Sequence, residues 1–442
     1  MSYLTENGKE KRWVAGVFLV LLLGLQLASA ARAELVIEIT RGATKPIPIA
    51  LVPFGWSGSG QPPADIAAIV RADLMGSGRF DALDNSAMLE RPTRGVDIDF
   101  DNWRMVAVNY VLVGRLEQQG DEYVLQYQLF DTFGARQVVA DRLIMQVTDL
   151  RRAGHLVADA VFEAVTGIKG VFSTQIAYIS VSVVDGAQRY RLIVADADGN
   201  NEFVLLESNQ PIMSPAWSPD GRRLAYVSFE GGRAAVYVQT LRTGSRRQVS
   251  GRAGVNNAPA WSPDGRQLAL TLSDPDGNLD VYVLTLLGDK LQRLTTRRSI
   301  DTEPAWAADG EFVYFTSDRG GAPQVYRVPA TGGDAERVTF EGRYNARPRI
   351  SPDGRYLAVV TDDRGRFRVA IQDLETDVFQ VLSDGSLDES PAFAPNSSQL
   401  VYATRREGRG VLETVSVDGL ISGRVKSVGS DVREPVWSPF RP

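Results

Sequence analysis

The sequence contains no cysteine and only one histidine, His155, among its 442 residues. Without thiols the chain cannot form disulfides, thiolate zinc sites, iron–sulfur clusters or a cysteine nucleophile. The serine-hydrolase pattern G-x-S-x-G is also missing, because the nearest string, GWSGSG at 55–60, has the wrong spacing. A phosphate-binding G-x-x-x-x-G-K-[ST] loop does not occur either. These absences argue against an enzyme, and neither a cofactor nor a metal site is expected.

Long apolar runs are equally scarce. One occurs, at Val14–Ala28, where only Gln26 interrupts it, and three basic residues precede it. Two small-x-small cleavage signals follow, so the pattern predicts a secretory signal peptide over residues 1–33, cleaved between Ala30 and Ala33 with Ala33 favoured. A membrane anchor is the alternative, but the run is short and no second run follows. The sequence therefore predicts an exported chain that does not span the membrane after cleavage.

Positive charge is in deficit. The sequence holds 48 lysines and arginines against 54 aspartates and glutamates, a net charge of −6. Residues 1–33 contain four of the basic and two of the acidic residues, so the mature chain carries 44 against 52 and a net charge of −8. Nucleic-acid binding depends on a basic footprint, so no nucleic-acid partner is expected.

Residues 34–166 are predicted to form a small α/β domain. Its clearest helix runs from Thr148, the expected N-cap, to Val165 along an apolar stripe. His155 lies off that stripe, which predicts a surface residue without a functional partner. The other predicted elements are strands at 34–40, 47–54, 110–114, 123–131 and 136–146, and a helix at 62–75 that starts at two prolines and ends before Gly76.

Residues 167–442 contain six copies of one phrase, PAWSPDG or a variant of it. The copies begin at residues 215, 259, 304, 348, 391 and 435, which places successive copies 43–45 residues apart. Such a period, built from short strands, is typical of a WD40-like β-propeller with one blade per repeat. Tryptophan fills the third motif position in four copies, and Ile350 and Phe393 fill it in the other two, as packing between stacked sheets requires. Asp-Gly pairs in four copies predict tight hairpins with positive φ at the glycine.

The two ends of the repeat array complement each other. IAYIS at 176–180 matches the second strand of the repeat but has no first strand before it, and PVWSP at 435–439 is a first strand with nothing after it. Pairing of the two segments would complete a sixth blade and remove the exposed edges of an open array. The predicted fold has two domains, α/β and all-β: a small N-terminal α/β domain, then a six-bladed β-propeller closed by the C-terminal strand.

One mouth of the propeller channel is the candidate binding site. The first strand of each blade lines the channel, so the three residues before each motif proline are expected at this mouth. Their charges suit a protein loop that carries donors and positive charge, with a bound cation as the weaker alternative and a solvated rim as the plainer explanation of any single residue. The charged residues are Asp301, Glu303, Asp388, Glu389 and Glu434, offset by Arg347 and Arg433.

Two other acidic patterns have plainer explanations. The neighbouring acids at 362–363 and 388–389 are expected to be solvated rather than a glycosidase pair. The string DPDGN at 274–278 looks like a calcium loop but lacks the distal glutamate of an EF-hand, so a polar hairpin tip is favoured.

Taken together, the export signal, a domain opening with ELVIEITRG (34–42) and LVPF (51–54), and the six PAWSPDG units resemble the TolB family, the periplasmic component of the Tol–Pal system of Gram-negative bacteria. The resemblance covers the whole mature chain, and the combination is more specific than PAWSPDG alone, which related propellers share. It implies a monomeric periplasmic adaptor without enzymatic activity. Such proteins bind the lipoprotein Pal at the channel mouth and TolA through their mature N-terminus, support outer-membrane integrity and constriction during cell division, and are used by some colicins.

The resemblance also implies site residues. The Pal-contact loops fall on Asn257, Ala258, Thr302, Glu303, Glu389 and Glu434, and the charged ring adds Asp301 and Arg347. The TolA-binding segment falls on Glu34, Leu35, Val36, Ile37, Glu38, Ile39, Thr40 and Arg41. Where the family often has a histidine before the second motif, this chain has Val255, so the contact there must differ. The alternative function is a secreted propeller that senses or hydrolyses peptides or glycans; hydrolysis would need a nucleophile paired with a histidine.

Overall fold

A computed structural model describes residues 45–427 and 431–441 of the chain. The predicted signal peptide, the strand at 34–40 and the TolA-binding segment lie outside the described residues. Within them, no helix is both long enough and apolar enough to cross a membrane.

The N-terminal domain is a mixed six-stranded sheet that carries two helices on one face. Strand β1 is parallel to both of its neighbours, and β4, β5 and β6 form an antiparallel meander, in the order β3-β1-β4-β5-β6 with β2 beside β4. The strands are β1 Ile47–Leu51, β2 Gly55–Ser57, β3 Phe80–Ala82, β4 Tyr110–Gln119, β5 Glu122–Asp131 and β6 Arg136–Met145. The helices are α1 Ile66–Gly76, α2 Phe100–Met105 and α3 Leu150–Thr166, with single 3-10 turns at Asn85–Ala87, Gly95–Asp97 and Val147–Asp149.

Alternation along the strands divides the apolar residues between two cores. Leu51 and Leu112 face α1 and α3, whereas their neighbours Val52 and Val111 face a second cluster around the buried Trp103 of α2. Both faces of the central strands are therefore covered, which explains why the sequence of these strands is almost continuously apolar.

Three predicted boundaries in this domain are wrong. Helix α1 starts after Asp65, whose carboxylate accepts the Ala68 N–H at 3.0 Å, rather than at the two prolines. Helix α3 begins at Leu150, and Thr148 lies inside the preceding 3-10 turn instead of capping the helix. The predicted strand at 47–54 ends at Leu51, before Pro53, which has no N–H to donate to a ladder, and β2 is a separate strand that begins at Gly55.

The second domain is a ring of six four-stranded antiparallel blades, as the repeats predict. Blade 1 consists of β10 Ile212–Trp217, β11 Arg223–Ser228, β12 Ala235–Thr240 and β13 Arg246–Ser250. Blade 2 consists of β14 Asn256–Trp261, β15 Gln267–Ser273, β16 Leu279–Thr285 and β17 Lys290–Arg293. Blade 3 consists of β18 Asp301–Trp306, β19 Phe312–Ser317, β20 Gln324–Pro329 and β21 Glu336–Arg337. Blades 4 and 5 are β22 Asn345–Ile350, β23 Tyr356–Asp363, β24 Arg366–Asp373 and β25 Phe379–Val381; and β26 Glu389–Phe393, β27 Gln399–Arg406, β28 Arg409–Ser416 and β29 Ser422–Val425.

Blade 6 joins the two ends of the propeller. It consists of β30 Asp431–Trp437 paired with β7 Gln175–Val184, followed by β8 Ala187–Asp196 and β9 Phe203–Ser208. In the register of the first pair, Trp437 lies opposite Ile176, and Val432 lies opposite Ser180. The predicted closure by the C-terminal strand is confirmed, and with it the predicted fold class.

In blades 1 to 3, the tryptophan at the third motif position joins the blade to the one before it, whereas the indole of Trp437 donates to Thr174 Oγ1 at 2.7 Å. The indole Nε1 of Trp261 donates to the backbone oxygen of Ala216 at 3.1 Å, and that of Trp306 donates to Ala260 at 3.1 Å. Trp217 bonds in the same way to Val436, across the point of ring closure. Each indole thus fills the space between two sheets and satisfies its one donor there.

The predicted hairpin glycines are confirmed. Gly221, Gly265, Gly310 and Gly354 have φ between +66° and +79°, a range that glycine adopts without the steric penalty of a Cβ.

Candidate functional site

The first strands of the six blades surround a channel with a cavity of about 600 Å³. Its wall carries the motif prolines and indoles together with the residues just before each first proline. Those residues are Ser214, Ala258, Glu303, Arg347, Ser390 and Glu434, which we call the mouth ring. The expectation that the first strands line the channel is confirmed.

Every member of the mouth ring has a left-handed backbone. Its φ lies between +50° and +55° in all six blades, although none of the six is a glycine. The pairing register between the first and second strands shifts at this point in each blade, which identifies a β-bulge. Because a bulge turns the side chain out of the normal alternation, it directs the mouth-ring residue into the channel. A left-handed non-glycine residue costs about 1 kcal/mol or more, and such strain often marks a functional site.

The residue two positions before a mouth-ring residue points away from the channel, into the blade. Asp301 and Asp388 occupy this position in blades 3 and 5, and both are 0% exposed. Asp301 pairs with Arg319 at 2.8 Å and accepts the Ser317 hydroxyl at 2.6 Å, so its charge is used inside the blade. The prediction that Asp301 contributes an accessible carboxylate to the mouth is wrong, and the same holds for Asp388. The physical reason is the bulge, which separates three consecutive residues into a buried, an intermediate and a channel-facing one.

A salt bridge between blades 3 and 4 lies in the mouth ring. Arg347 Nε lies 3.0 Å from Glu303 Oε1, and the Arg347 backbone N–H donates to Glu303 Oε2 at 2.9 Å. The Thr316 hydroxyl donates to the same carboxylate oxygen at 3.0 Å. Arg347 also donates to the Ser390 hydroxyl of blade 5. These bonds connect three successive blades at the channel wall.

Two mouth-ring groups have displaced pKa values. Burial raises the pKa of the Glu434 carboxyl, and the Ser214 N–H and the charge of Arg347 oppose this only in part. For Arg347, burial acts to lower the pKa, but the carboxylates of Glu303, Glu434 and Glu389 together raise it. Arg347 therefore stays charged, whereas the negative charge of Glu434 is held at a cost.

Five of the eight predicted Pal-contact residues line the channel, namely Asn257, Ala258, Glu303, Arg347 and Glu434. Thr302 lies beside them, with its hydroxyl 3.3 Å from that of Thr271 in blade 2. Glu389 is half-buried next to the ring and acts on Arg347 through its charge. Val255, which precedes Asn256 and the second motif, is 36% exposed.

Sequence reasoning missed three residues of the channel wall. Ser214 and Ser390 belong to the mouth ring, but their uncharged side chains gave no signal in a search for charge. Arg349 occupies the second motif position, where the other five copies have alanine or valine. Alignment of the six motifs could have identified it, because a long cation stands there among small apolar residues.

A second polar cluster lies where the two domains meet; we call it the domain junction. It consists of Asp73, Arg151, His155, Asp196 and Asp198. His155 is 1% exposed, and its Nδ1 lies 2.6 Å from Asp73 Oδ2. The prediction that His155 is a plain surface residue is wrong, because Asp73 of α1 and the β8–β9 turn of the propeller both lie against it.

Both domains contribute charged groups to the domain junction. Arg151 pairs with Asp198, and its Nε lies 3.7 Å from Asp196. Burial acts to lower the pKa of His155, but the hydrogen bond and charge of Asp73, with the charges of Asp198 and Asp196, raise it overall. Asp73, His155 and Asp198 could each offer one ligand atom to a metal ion. The Arg151 guanidinium already supplies positive charge to Asp198, so these residues fit an ion-pair cluster better than a metal centre.

The calcium-like string at 274–278 is a hairpin tip. Asp274 accepts the backbone N–H groups of Asp276 and Asn278 and pairs with Arg293 at 3.1 Å. These bonds within the turn use the carboxylate that a calcium ion would need, in agreement with the favoured prediction.

Comparison with known proteins gives one consistent family. Residues 35–138 match the model of the TolB amino-terminal domain, and residues 162–441 match that of the TolB beta propeller domain. The chain is 46% identical to the "Tol-Pal system protein TolB" of Xanthomonas oryzae pv. oryzae over 437 residues, which cover 98% of this chain and 99% of that protein. The protein of the same name from Xanthomonas campestris pv. campestris is similar to the same degree, at 46% identity and the same coverage.

A solved structure agrees with these matches. The crystal structure of TolB from Acinetobacter baumannii superposes with a TM-score of 0.83 at 40% sequence identity, covering 90% of this chain and 97% of that one. The two family models together cover both domains, and the relatives align over nearly the full length. The chain belongs to the TolB family of Tol–Pal system proteins.

Proposed function

We propose that the chain is a periplasmic adaptor that binds Pal through the mouth ring and TolA through its mature N-terminus. In this role it supports outer-membrane integrity and constriction during cell division, and the same mouth is open to colicins. The observation that carries the proposal is the mouth ring itself: six bulges, each at a cost in backbone strain, direct one side chain per blade into a shared cavity. We take residues 34–166 and 167–442 as its two domains, after removal of residues 1–33.

The chemistry of the mouth suits a polypeptide better than a reacting substrate. Glu303 and Arg347 are tied to each other and to backbone groups of neighbouring blades, which holds them in fixed positions for recognition. The single histidine of the sequence is buried against Asp73 at the domain junction, where a substrate cannot reach it. The alternative of a peptide or glycan hydrolase therefore gains no support from the described residues.

The experiment is a binding measurement between the mature chain and Pal. Ala258→Arg should abolish binding, because it fills the mouth with a long side chain at a position that is half-buried in the free protein. The fold should tolerate it, since Arg347 occupies the equivalent left-handed position of blade 4. The matched control is Ala135→Arg, an exposed alanine with φ of +45° in the β5–β6 hairpin of the other domain.

Two further arms complete the test. Removal of residues 34–41 should abolish TolA binding and leave Pal binding unchanged. Full Pal binding by a folded Ala258→Arg variant would show that the mouth is not the Pal site. Undiminished TolA binding after removal of 34–41 would place that contact elsewhere on the chain.

A further inference from the structure

The ionisable groups that line the channel are balanced in sign. They are two carboxylates, Glu303 and Glu434, and two guanidinium groups, Arg347 and Arg349. The burial of Asp301 and Asp388 removes two negative charges that the sequence had assigned to the mouth. A partner selected only for positive charge would therefore match half of this surface.

One pair of these charges is already neutralised. Glu303 and Arg347 form the salt bridge between blades 3 and 4, at 3.0 Å, and each also bonds to a neighbouring group of the wall. Their hydrogen-bonding capacity is largely used within the free protein. The charges left for a ligand are those of Arg349 and Glu434.

Arg349 has no acidic partner among residues 45–427 and 431–441. Its guanidinium donates to the backbone oxygen of the adjacent Pro348 at 2.8 Å and forms no salt bridge there. The equivalent positions in the other blades hold small apolar side chains, so no neighbour in this layer can pair with it; they are Ala216, Ala260, Ala305, Ala392 and Val436. Burial lowers the pKa of Arg349. The charges of Glu303 and Glu434 oppose this lowering, but neither carboxylate lies within salt-bridge distance. A guanidinium in a cavity wall without a directly paired carboxylate favours an anion that enters the channel.

Glu434 is the complementary group. Within the described part of the chain its carboxylate accepts the Ser214 N–H and has no cation within salt-bridge distance. The nearby Arg433 side chain is paired with Asp431 at 2.7 Å instead. Glu434 thus has acceptor capacity left for a donor that arrives from outside.

We propose that the channel receives a dipolar loop of the protein partner, in which an aspartate or glutamate pairs with Arg349 and an N–H or ammonium group pairs with Glu434. This inference rests on the proposed function, because it takes a protein loop as the occupant of the mouth. It adds that the loop carries an acidic side chain, and that Arg349 is a specificity-determining residue.

The test measures the affinity of the mature chain for Pal by calorimetry, with Arg349→Met as the main variant. Methionine keeps the length of the side chain and removes its charge, so affinity should fall at least about tenfold, as for other truncated buried charge pairs. Arg349→Lys should retain part of the affinity. The control is Arg242→Met, at an exposed arginine in the outer β12–β13 turn, which should leave affinity unchanged.

Changes in Pal identify the acidic residue that pairs with Arg349. Each acidic residue of the docking loop of Pal is changed to the corresponding amide, and the affinity of each Pal variant for the wild-type chain is measured. This arm of the test does not depend on whether an Arg349 variant folds. One such change should weaken binding to the same extent as Arg349→Met, and the two changes together should cost little more than either alone.

Three outcomes would overturn the inference. If a folded Arg349→Met variant binds Pal with wild-type affinity, Arg349 is not part of the binding site. Loss of binding in Ala258→Arg would in that case still support the mouth ring as the Pal site. Failure of every amide change in the partner removes the acidic group. Absence of binding by the wild-type chain itself overturns both the proposed function and this inference.

Discussion

The domain junction and the mouth ring use the same side chains, arginine and carboxylate, in opposite ways. At the junction, Arg151 and His155 face three aspartates, and positive and negative groups contact each other directly. At the mouth, Glu303 and Arg347 pair, but Arg349 and Glu434 are left without an ion-pair partner among the described residues. Internal pairing favours cohesion between elements, whereas unpaired charge in a cavity favours a ligand. The comparison teaches that a charged cluster is judged by which of its charges remain unpaired.

The largest expected effect is at the junction. His155→Ala leaves Asp73 buried without its hydrogen-bond partner, and removal of one member of a buried pair costs about 3 kcal/mol or more. Urea unfolding of the mature variant should show this loss in the free energy of unfolding, with Pal affinity preserved. A change below about 0.5 kcal/mol would mean that the buried pair of His155 and Asp73 does not stabilise the fold as described.

A smaller effect concerns pH. Because the folded-state pKa of His155 is raised above its usual value near 6.5, the stability that protonation contributes is complete below about pH 6.5 and is lost as pH rises through the folded-state pKa. The raised pKa of Asp73, due first to burial, acts in the same direction. The free energy of unfolding should therefore be lower at pH 8.5 than at pH 6.5, and the difference should shrink in His155→Ala. Equal stability of the wild-type chain at the two pH values would contradict the assignment.

The smallest effect on stability is expected at the mouth. Glu434→Gln removes a charge that burial disfavours, and the amide oxygen can still accept the Ser214 N–H. The free energy of unfolding at neutral pH should change by no more than about 0.5 kcal/mol, and any change should be toward greater stability. Pal affinity should fall instead. A strongly destabilised Glu434→Gln variant would erase the distinction between the two clusters.

The blade architecture could be predicted because it is repeated. Six motifs at a nearly constant period, and two half-repeats at the ends, specify the number of blades and the pairing of β30 with β7 without reference to any single side chain. A copy that departs from the motif can still be recognised as a blade because the other five copies give the period.

The orientation of the mouth side chains could not be predicted in the same way. Left-handed residues are usually signalled by glycine, and the residue before a proline usually favours an extended backbone. Here Ser214, Ala258 and Glu303 break both expectations, so nothing in their type reveals the bulge. The sequence alone does not distinguish Asp301 from Glu303, although the first is buried and the second faces the channel.

His155 was misplaced for a different reason. Its position on α3, off the apolar stripe, is correct, but a helical stripe indicates only the apolar contacts of a helix and not a polar partner on another side. Its closest partner is Asp73 of α1, and the propeller turn that also lies against it is more than forty residues further along the chain, at Asp196 and Asp198. Contacts between domains leave no periodic trace in either segment.

Completion of blade 6 by the last strand has a consequence for the synthesis of the protein. Strand β7 is made before the other strands of the propeller and its partner β30 after them, so the ring cannot close until residue 437 has been made. A product that stops short of residue 431 would carry a long apolar strand with one unpaired edge, which is the kind of surface that recruits other strands. The ring therefore closes only in a polypeptide that contains both β7 and β30.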